Sequence, residues 1–437
     1  MTEATLPPGP TEASSSRSLA GSLRAAGVDT RLLGMLVALG VIWIGFHAIS
    51  DGGFITPRNL WNLSVQSSSI GIMATGMVLI IVSRNIDLSV GAILGFVGYS
   101  MAMMQTIWIP ISLGFGLEQP WAWIVTVVFG LILGGILGLA QGFVVAYLGV
   151  PSFIVTLGGL LVWRGLIFQY VQGQTLAPLD TSFRLLGGGP TGSVGEVMSW
   201  LIGIVVCVAI VYALITNRRR RRRYGFALRP RAAEVLIGIV ACAVVLLAVW
   251  TANSYMWPTN LADQYAERNG IPIPEGGLQI PHGIANPVLI LLGVGVLMTY
   301  LATRRRFGRN VYAIGGNPDA ALLSGINVKR TIMYTFGLMG LLAAVSAVVQ
   351  TARLNAAVTG LGVTNELDVI SAAVIGGTSF AGGIGTIPGA ILGAVVMQSL
   401  RSGMLLLNVD SPVQDIVVGI VLVAAVGVDS LLRRRGT

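Results

Sequence analysis

Twelve stretches of this chain are apolar over sixteen or more residues: 32–49, 63–82, 88–109, 121–142, 151–172, 198–216, 233–252, 286–302, 331–352, 366–381, 384–407 and 412–431. An α-helix rises about 1.5 Å per residue, so roughly 20 apolar residues cross the ~30 Å hydrocarbon core of a bilayer. The predicted fold class is therefore an all-α integral membrane protein, a polytopic helical bundle of about 10–12 transmembrane helices. Two segments keep the number open. Segment 366–381 is short and ends in G-G-T-S-F-A-G-G, and 63–82 contains the polar run Ser67–Ser69. Either is a candidate broken or re-entrant helix, an arrangement tolerated only where protein or a cavity covers the freed backbone.

The charges agree with this reading. They make up 10% of the residues, against about 25% in soluble domains. The net charge of +9 does not point to nucleic acid, because the basic groups sit beside apolar segments. Arg17, Arg24 and Arg31 precede the first segment, and Arg218–Arg223, Arg229 and Arg231 separate the sixth from the seventh. Arg304–Arg306, Arg309, Lys329 and Arg330 lie between the eighth and ninth, and Arg433–Arg435 near the end. Twelve crossings with both termini cytoplasmic place all of them inside. The opposite loops carry acids: Asp51, Glu118, Asp180, Glu196, Asp263, Glu267 and Glu275. Residues 1–31, rich in Pro, Ser and Thr and without an apolar h-region, read as a disordered cytoplasmic tail. Residues 32–437 form the transmembrane domain, with a cytoplasmic loop 303–330 and an outer loop 253–285.

A weak internal repeat runs through the scaffold. Ile86-Asp87 is followed by Ile-Leu-Gly at 93–95, and Leu367-Asp368 by Val-Ile-Gly at 374–376. G-I-L-G at 135–138 resembles A-I-L-G at 390–393, so an internal duplication is expected, with an insertion between the copies.

The cytoplasmic loop holds G-G-N-P-D-A-A-L-L-S-G-I at Gly315–Ile326. Asn317 suits an N-cap, Pro318 the first helical position, and Asp319 the positive end of the helix dipole. Ala320, Ala321, Leu322 and Leu323 form helix well, and Gly325, after Ser324, can close it in the left-handed conformation. Two turns do not persist alone in water, so this element needs a partner surface.

Ionisable groups near the bilayer are the candidates for chemistry. Asp87, flanked by Asn85 and Ser89, either lines a path or caps the third span at the interface. Asp368 has the same two readings, and Thr378 and Ser379 follow it; these six residues are the translocation-path candidates. Arg164 and Arg401 read as paired or snorkelling arginines. Gly130, Gly134, Gly138 and Gly142 share one helix face, which suits close helix packing or a smooth wall beside a moving solute. Trp121, Trp123, Trp163 and Trp250 read as interface anchors. Lys329 is the only lysine and lies in N-V-K-R, so the chain has no P-loop of its own. His47 and His282 are its only histidines, and Cys207 and Cys242 lie in apolar segments. No catalytic set, metal site or cofactor is read from these residues, and an enzyme reading has little to rest on.

Four motifs in order resemble those of monosaccharide ATP-binding-cassette (ABC) importer permeases. They are I-D-L-S-V-G at 86–91, V-P-S-F-I-V-T-L-G-G at 150–159, R-F-G-R-N-V-Y-A-I-G-G-N-P-D-A-A-L-L-S-G-I at 306–326 and E-L-D-V-I-S-A-A-V-I-G-G-T-S-F-A-G-G at 366–383. The extra pair of spans around Arg218–Arg223 is more similar to the xylose branch than to the ribose type. The resemblance implies a permease in the cytoplasmic (inner) membrane, paired with a second copy. It also implies a separate ABC ATPase subunit and an extracytoplasmic sugar-binding protein. It makes Gly315–Gly325 (Gly315, Gly316, Asn317, Pro318, Asp319, Ala320, Ala321, Leu322, Ser324 and Gly325 among them) the coupling helix that seats in the ATPase. Two departures stand out: the usual Gly-Gly before I-D-L-S-V-G is Arg84-Asn85 here, and the outer loop is longer. The competing reading is an ion-coupled secondary transporter of a small polar solute, with Asp87, Asp368 and Arg401 as its relay.

Overall fold

A computed structural model describes residues 30–116, 119–228 and 230–434. The expected N-terminal tail, up to residue 29, lies outside them, as do Glu118, Arg229 and Arg435. All described regular structure is helical, with four isolated β-bridges between loops.

In chain order the helices are α1 (Thr30–Ile49), α2 (Pro57–Val82), α3 (Val90–Met103, continued as a π-helical stretch Met104–Ser112), α4 (Ala122–Tyr147), α5 (Ser152–Val171) and the short α6 (Thr181–Arg184). Then come α7 (Gly195–Arg223), α8 (Arg231–Asn253), α9 (Thr259–Asn269), α10 (Asn286–Arg304), α11 (Arg306–Gly316) and α12 (Pro318–Leu323). The last four are α13 (Val328–Leu354), α14 (Asn365–Ile375), α15 (Ile387–Leu406) and α16 (Ser411–Arg434). Nine helices among the described residues are long and apolar enough to cross a membrane, and α1 and α16 carry shorter apolar stretches.

Of the two segments expected to break, only one does. α2 is continuous: Ser67–Ser69 are buried within the bundle, and the hydroxyls of Ser68 and Ser69 are hydrogen-bonded there. Ser69 Oγ meets Ser346 Oγ and accepts from Gln350 Nε2 at 2.8 Å, while Ser68 Oγ donates to Ser64 O at 2.8 Å. The other segment is cut: α14 stops at Ile375, and Gly377, Gly382 and Gly383 take positive φ in the loop that follows. Gly376, Thr378, Ser379 and Gly382 of that loop are buried, while Ala381, Ile384 and Thr386 are exposed.

Nearly all of α2 is buried, and α10, α13, α14 and α15 pack around it. The expected duplication is visible in the order of elements. α2–α3–α4–α5 and α13–α14–α15–α16 each run long helix, helix opening at an Asp-containing motif, glycine-striped helix, helix. α2 and α13 lie antiparallel, with Ser69 beside Ser346 and Gly76 beside Met339 and Leu342. On that pairing of elements the two series begin with helices of opposite direction.

The glycine stripe of α4 is spent on packing. A Cβ on Gly134 would lie 2.5 Å from Gly340 O, one on Gly138 2.3 Å from Phe336 O, and one on Gly142 2.6 Å from Met333 O, all on α13. α15 repeats the device against α14: a Cβ on Gly393 would lie 2.0 Å from Ala372 O. Loop 253–285 is folded too. Trp61 Nε1 donates to Gly283 O at 2.8 Å, and His282 stacks on Tyr255 with ring centroids 4.2 Å apart.

Candidate functional site

Two regions at opposite ends of the bundle concentrate the chemistry. The first is the joint where α11 and α12 meet the membrane helices. α11 was not foreseen; its signal is the apolar spacing Phe307, Val311, Ile314, and it lays Val311, Ile314 and Gly315 onto the bundle. Gly315 ends the helix against another main chain: a Cβ there would sit 1.8 Å from Val82 O and 2.6 Å from Gly383 N. Gly383 N donates to Val82 O at 3.0 Å, and Tyr312 Oη donates to Gly385 O at 2.7 Å. So the end of α2, the end of α11 and the loop after α14 form one joint, built mostly from backbone.

Arg84 closes that joint. Its Nε donates to Gly315 O at 2.8 Å and a terminal guanidinium nitrogen to Gly316 O at 2.9 Å. These are carbonyls left free at the end of α11, where a cation also complements the helix dipole. Arg84 holds φ at 64°, a left-handed conformation that favours glycine. The expected Gly-Gly is thus replaced by a strained arginine whose two charge-assisted bonds compensate for the strain.

α12 projects from the joint with both ends satisfied. Asn317 Oδ1 accepts from Asp319 N and Ala320 N, each at 3.1 Å. Gly325, at φ 79°, lets its own N–H reach Leu322 O and that of Ile326 reach Ala321 O at 3.1 Å, a Schellman closure. Ser324 Oγ donates to Ala320 O at 2.8 Å. Helix boundaries are narrower than the motif: Gly315 and Gly316 belong to α11, and Pro318–Leu323 is the helix. Ala321 is buried, whereas Leu322 is 63% and Leu323 88% exposed, an apolar tip on a polar surface.

The second region is a cavity of about 280 Å³ at the far end of the bundle, walled by α2, α13, α14 and α15. Each wall offers two polar residues spaced three apart, one helical turn: Gln66 and Ser69, Gln350 and Arg353, Asn365 and Asp368, Gln398 and Arg401. Arg401 is fixed by two carboxylates, Asp368 at 2.8 Å and Asp415 at 3.2 Å. Of these eight residues sequence reasoning named only Asp368 as a path candidate. The missed signal was the i, i+3 polar pair inside an otherwise apolar helix.

The other path candidates lie elsewhere. Asp87 is buried in the bend between α2 and α3, where Oδ1 accepts from Ser89 N at 2.8 Å and from Ser89 Oγ at 2.6 Å. Ser89 Oγ is also 2.9 Å from the Gln141 side-chain amide. A hydroxyl has one proton, so with Asp87 accepting it Gln141 must present its NH₂ to Ser89. Asp87 therefore bonds to Ser89, the residue that opens α3, rather than to the N–H groups of the helix, and it does not line the polar cavity. Asn85 donates to Ser83 O at 3.0 Å. Thr378 and Ser379 are buried in the loop of the joint. Arg164 donates to Leu361 O at 2.7 Å, so both flagged arginines are engaged within the protein.

A family model described as branched-chain amino acid transport system / permease component matches residues 59–426. The chain belongs to this permease family. Among curated relatives it is 37% identical over 410 residues to the xylose transport system permease protein of Haemophilus influenzae, covering 93% of this chain and 98% of the relative. It is 35% identical over 403 residues to that of Escherichia coli K12, covering 92% of each. The ribose import permease protein of the same strain is 30% identical over 395 residues, covering 90% of this chain and 92% of the relative. No solved structure gives a significant match. These relatives are transport-system permeases, not enzymes, and the chain is a multi-pass membrane member of the sugar-permease group.

Proposed function

We propose that the chain is the membrane-spanning subunit of an ATP-driven importer of a monosaccharide, most simply a xylose-like pentose. The observation that carries this reading is the pairing of an exposed, doubly capped α12 with a polar cavity at the other end of the same helices. The rise per residue puts Ser69 roughly 20 Å from Val82 along α2, and Arg401 a similar distance from Ile387 along α15. α2 and α14 each have one end at the cavity and the other at the joint.

In this mechanism a separate ABC ATPase receives the Leu322–Leu323 tip of α12. Nucleotide-driven closure displaces α12 and α11, and the backbone joint carries the displacement to α2 and to the loop of α14. The cavity walls shift and expose the solute to alternate sides by rigid-body movement. An extracytoplasmic sugar-binding protein delivers the sugar to the outer face, formed by loop 253–285 and the start of α2. Two copies of the chain enclose the passage, both termini lie in the cytoplasm, and the membrane is the cytoplasmic (inner) one. Amides, guanidinium groups and a carboxylate are the donors and acceptors a polyhydroxylated ring needs. The xylose permease relatives favour a pentose.

The test is uptake of radiolabelled xylose into vesicles holding the chain, the ATPase and the binding protein together. The expected result is concentration of xylose that requires ATP and both partners. Uptake by the chain alone, driven by an ion gradient, would overturn it and favour ion coupling through Asp368 and Arg401.

A further inference from the structure

The hairpin of α7 and α8 plays no part in the mechanism above. Its two helices pack chiefly on each other, through Gly203 against Val249, Gly238 against Leu214 and Cys207 against Cys242. Their outward faces are apolar and exposed, as lipid-facing helices must be. At the arginine-bearing end the helices part and leave a cavity of about 500 Å³. Its walls are aliphatic, with Val211, Ile215, Val235 and Ile239 among them, and its mouth is charged.

The charge at the mouth is strongly one-sided. Arg218 and Glu234 form an ion pair and neutralise one another. Arg231, also at the mouth, is exposed and has no ion-pair partner among the described residues. Beyond it the last turns of α7 carry Arg219–Arg223, of which Arg221 donates to Ala227 O at 3.3 Å. From Arg218 to Val211 the groove runs about 10 Å, and from Arg231 to Cys242 about 16 Å, at 1.5 Å per residue. Half of a bilayer's hydrocarbon core is about 15 Å.

We propose that this groove is a binding site for one anionic phospholipid, with an acyl chain between α7 and α8 and the phosphate held by Arg231 and the α7 arginine run. Charge and shape select that occupant together. A second copy of the hairpin would bring its own arginines to the same mouth, where like charges repel. A free anion would satisfy the arginines and leave the aliphatic groove unfilled. A lipid with a negative head satisfies both, and basic pockets between helices at the cytoplasmic face have this character. The proposal requires only that the chain sits in a membrane, so it stands or falls separately from the transport reading.

The experiment is native mass spectrometry of the purified full chain, titrated with dioleoyl phosphatidylglycerol or dioleoyl phosphatidylcholine. The expected result is a single saturable phosphatidylglycerol adduct that outlasts removal of the remaining lipid. Arg231→Ser is expected to weaken it about fivefold, the effect of one basic residue near an anionic headgroup, and Arg231→Lys to retain it. Ile239→Trp, which fills the groove, should abolish it. Where that variant fails to fold, alkylation of Cys242 in a Cys207→Ser background serves instead, since phosphatidylglycerol should slow it and phosphatidylcholine should not. Equal retention of both lipids, a preference untouched by Arg231→Ser, or a retained mass equal to a second copy of the chain would each overturn the proposal.

Discussion

At the joint, Gly315, Val82 and Gly383 meet main chain to main chain; at the cavity, eight polar side chains from four helices face one another across open space. Backbone in contact has no rotamers to absorb a push, so a displacement of α11 reaches α2 and the α14 loop without slack. Side chains such as Gln66, Gln350 and Gln398 have several torsions each and can adjust to a hydroxylated solute. The same helices thus end in a stiff grip on one side and an adaptable surface on the other.

Asp368→Asn tests the adaptable end and has the largest expected effect. It removes one partner of a mostly buried ion pair, a change that costs about 3–5 kcal/mol. Melting temperature and uptake should both fall, while association with the ATPase persists. The pair Asp368→Leu with Arg401→Met should restore the melting temperature without restoring uptake. Recovery of uptake would mean the pair is structural only.

Gly315→Val tests the stiff end. Its Cβ must displace Val82 O, an overpacking cost of about 3 kcal/mol. Uptake should be lost, and a variant with normal uptake would show that the joint has play. Arg84→Ala removes two hydrogen bonds from a charged donor, worth about 2 kcal/mol together in this partly exposed setting. ATP hydrolysis should continue while sugar moved per ATP falls, read as the ratio of the two rates. Asn317→Ala with Asp319→Ala removes a cap worth about 1 kcal/mol. Co-purification of the ATPase should weaken by about fivefold with membrane insertion unchanged.

The smallest effect concerns the cap formed by loop 253–285 over the start of α2. Burial among Trp61, Tyr255 and Trp257 holds the His282 imidazole below its ordinary pKa. The unfolded loop then binds a proton that the folded loop refuses. Stability of the cap is full above the usual imidazole pKa and declines as pH falls below it. Limited proteolysis of loop 253–285 should accelerate on acidification, and His282→Gln should remove that dependence.

Spans and caps were legible because their signals are local: twenty apolar residues in a row, or Asn-Pro-Asp before Ala-Ala-Leu-Leu. The paired glycines of α4 were visible as a stripe, and only the structure shows that α13 fills it. The break after Ile375 announced itself in G-G-T-S-F-A-G-G. Ser67–Ser69 sent the same signal falsely, because hydroxyls inside a bundle can bond to each other and to the preceding turn. The cavity was hardest to see. Its walls come from residues as far apart as Gln66 and Arg401, and a single polar residue in an apolar run does not reveal what it faces. Arg84 was noticed as a departure, but its grip on Gly315 and Gly316 spans more than 200 positions of sequence.

Leu322 and Leu323 are exposed on α12, whereas the joint is held by main-chain contacts together with the Arg84 and Tyr312 side chains. On the mechanism proposed above, partner choice and force transmission reside on different atoms. On the coupling role proposed for α12, grafting the tip of a related permease onto this scaffold should exchange the motor and leave the cargo unchanged.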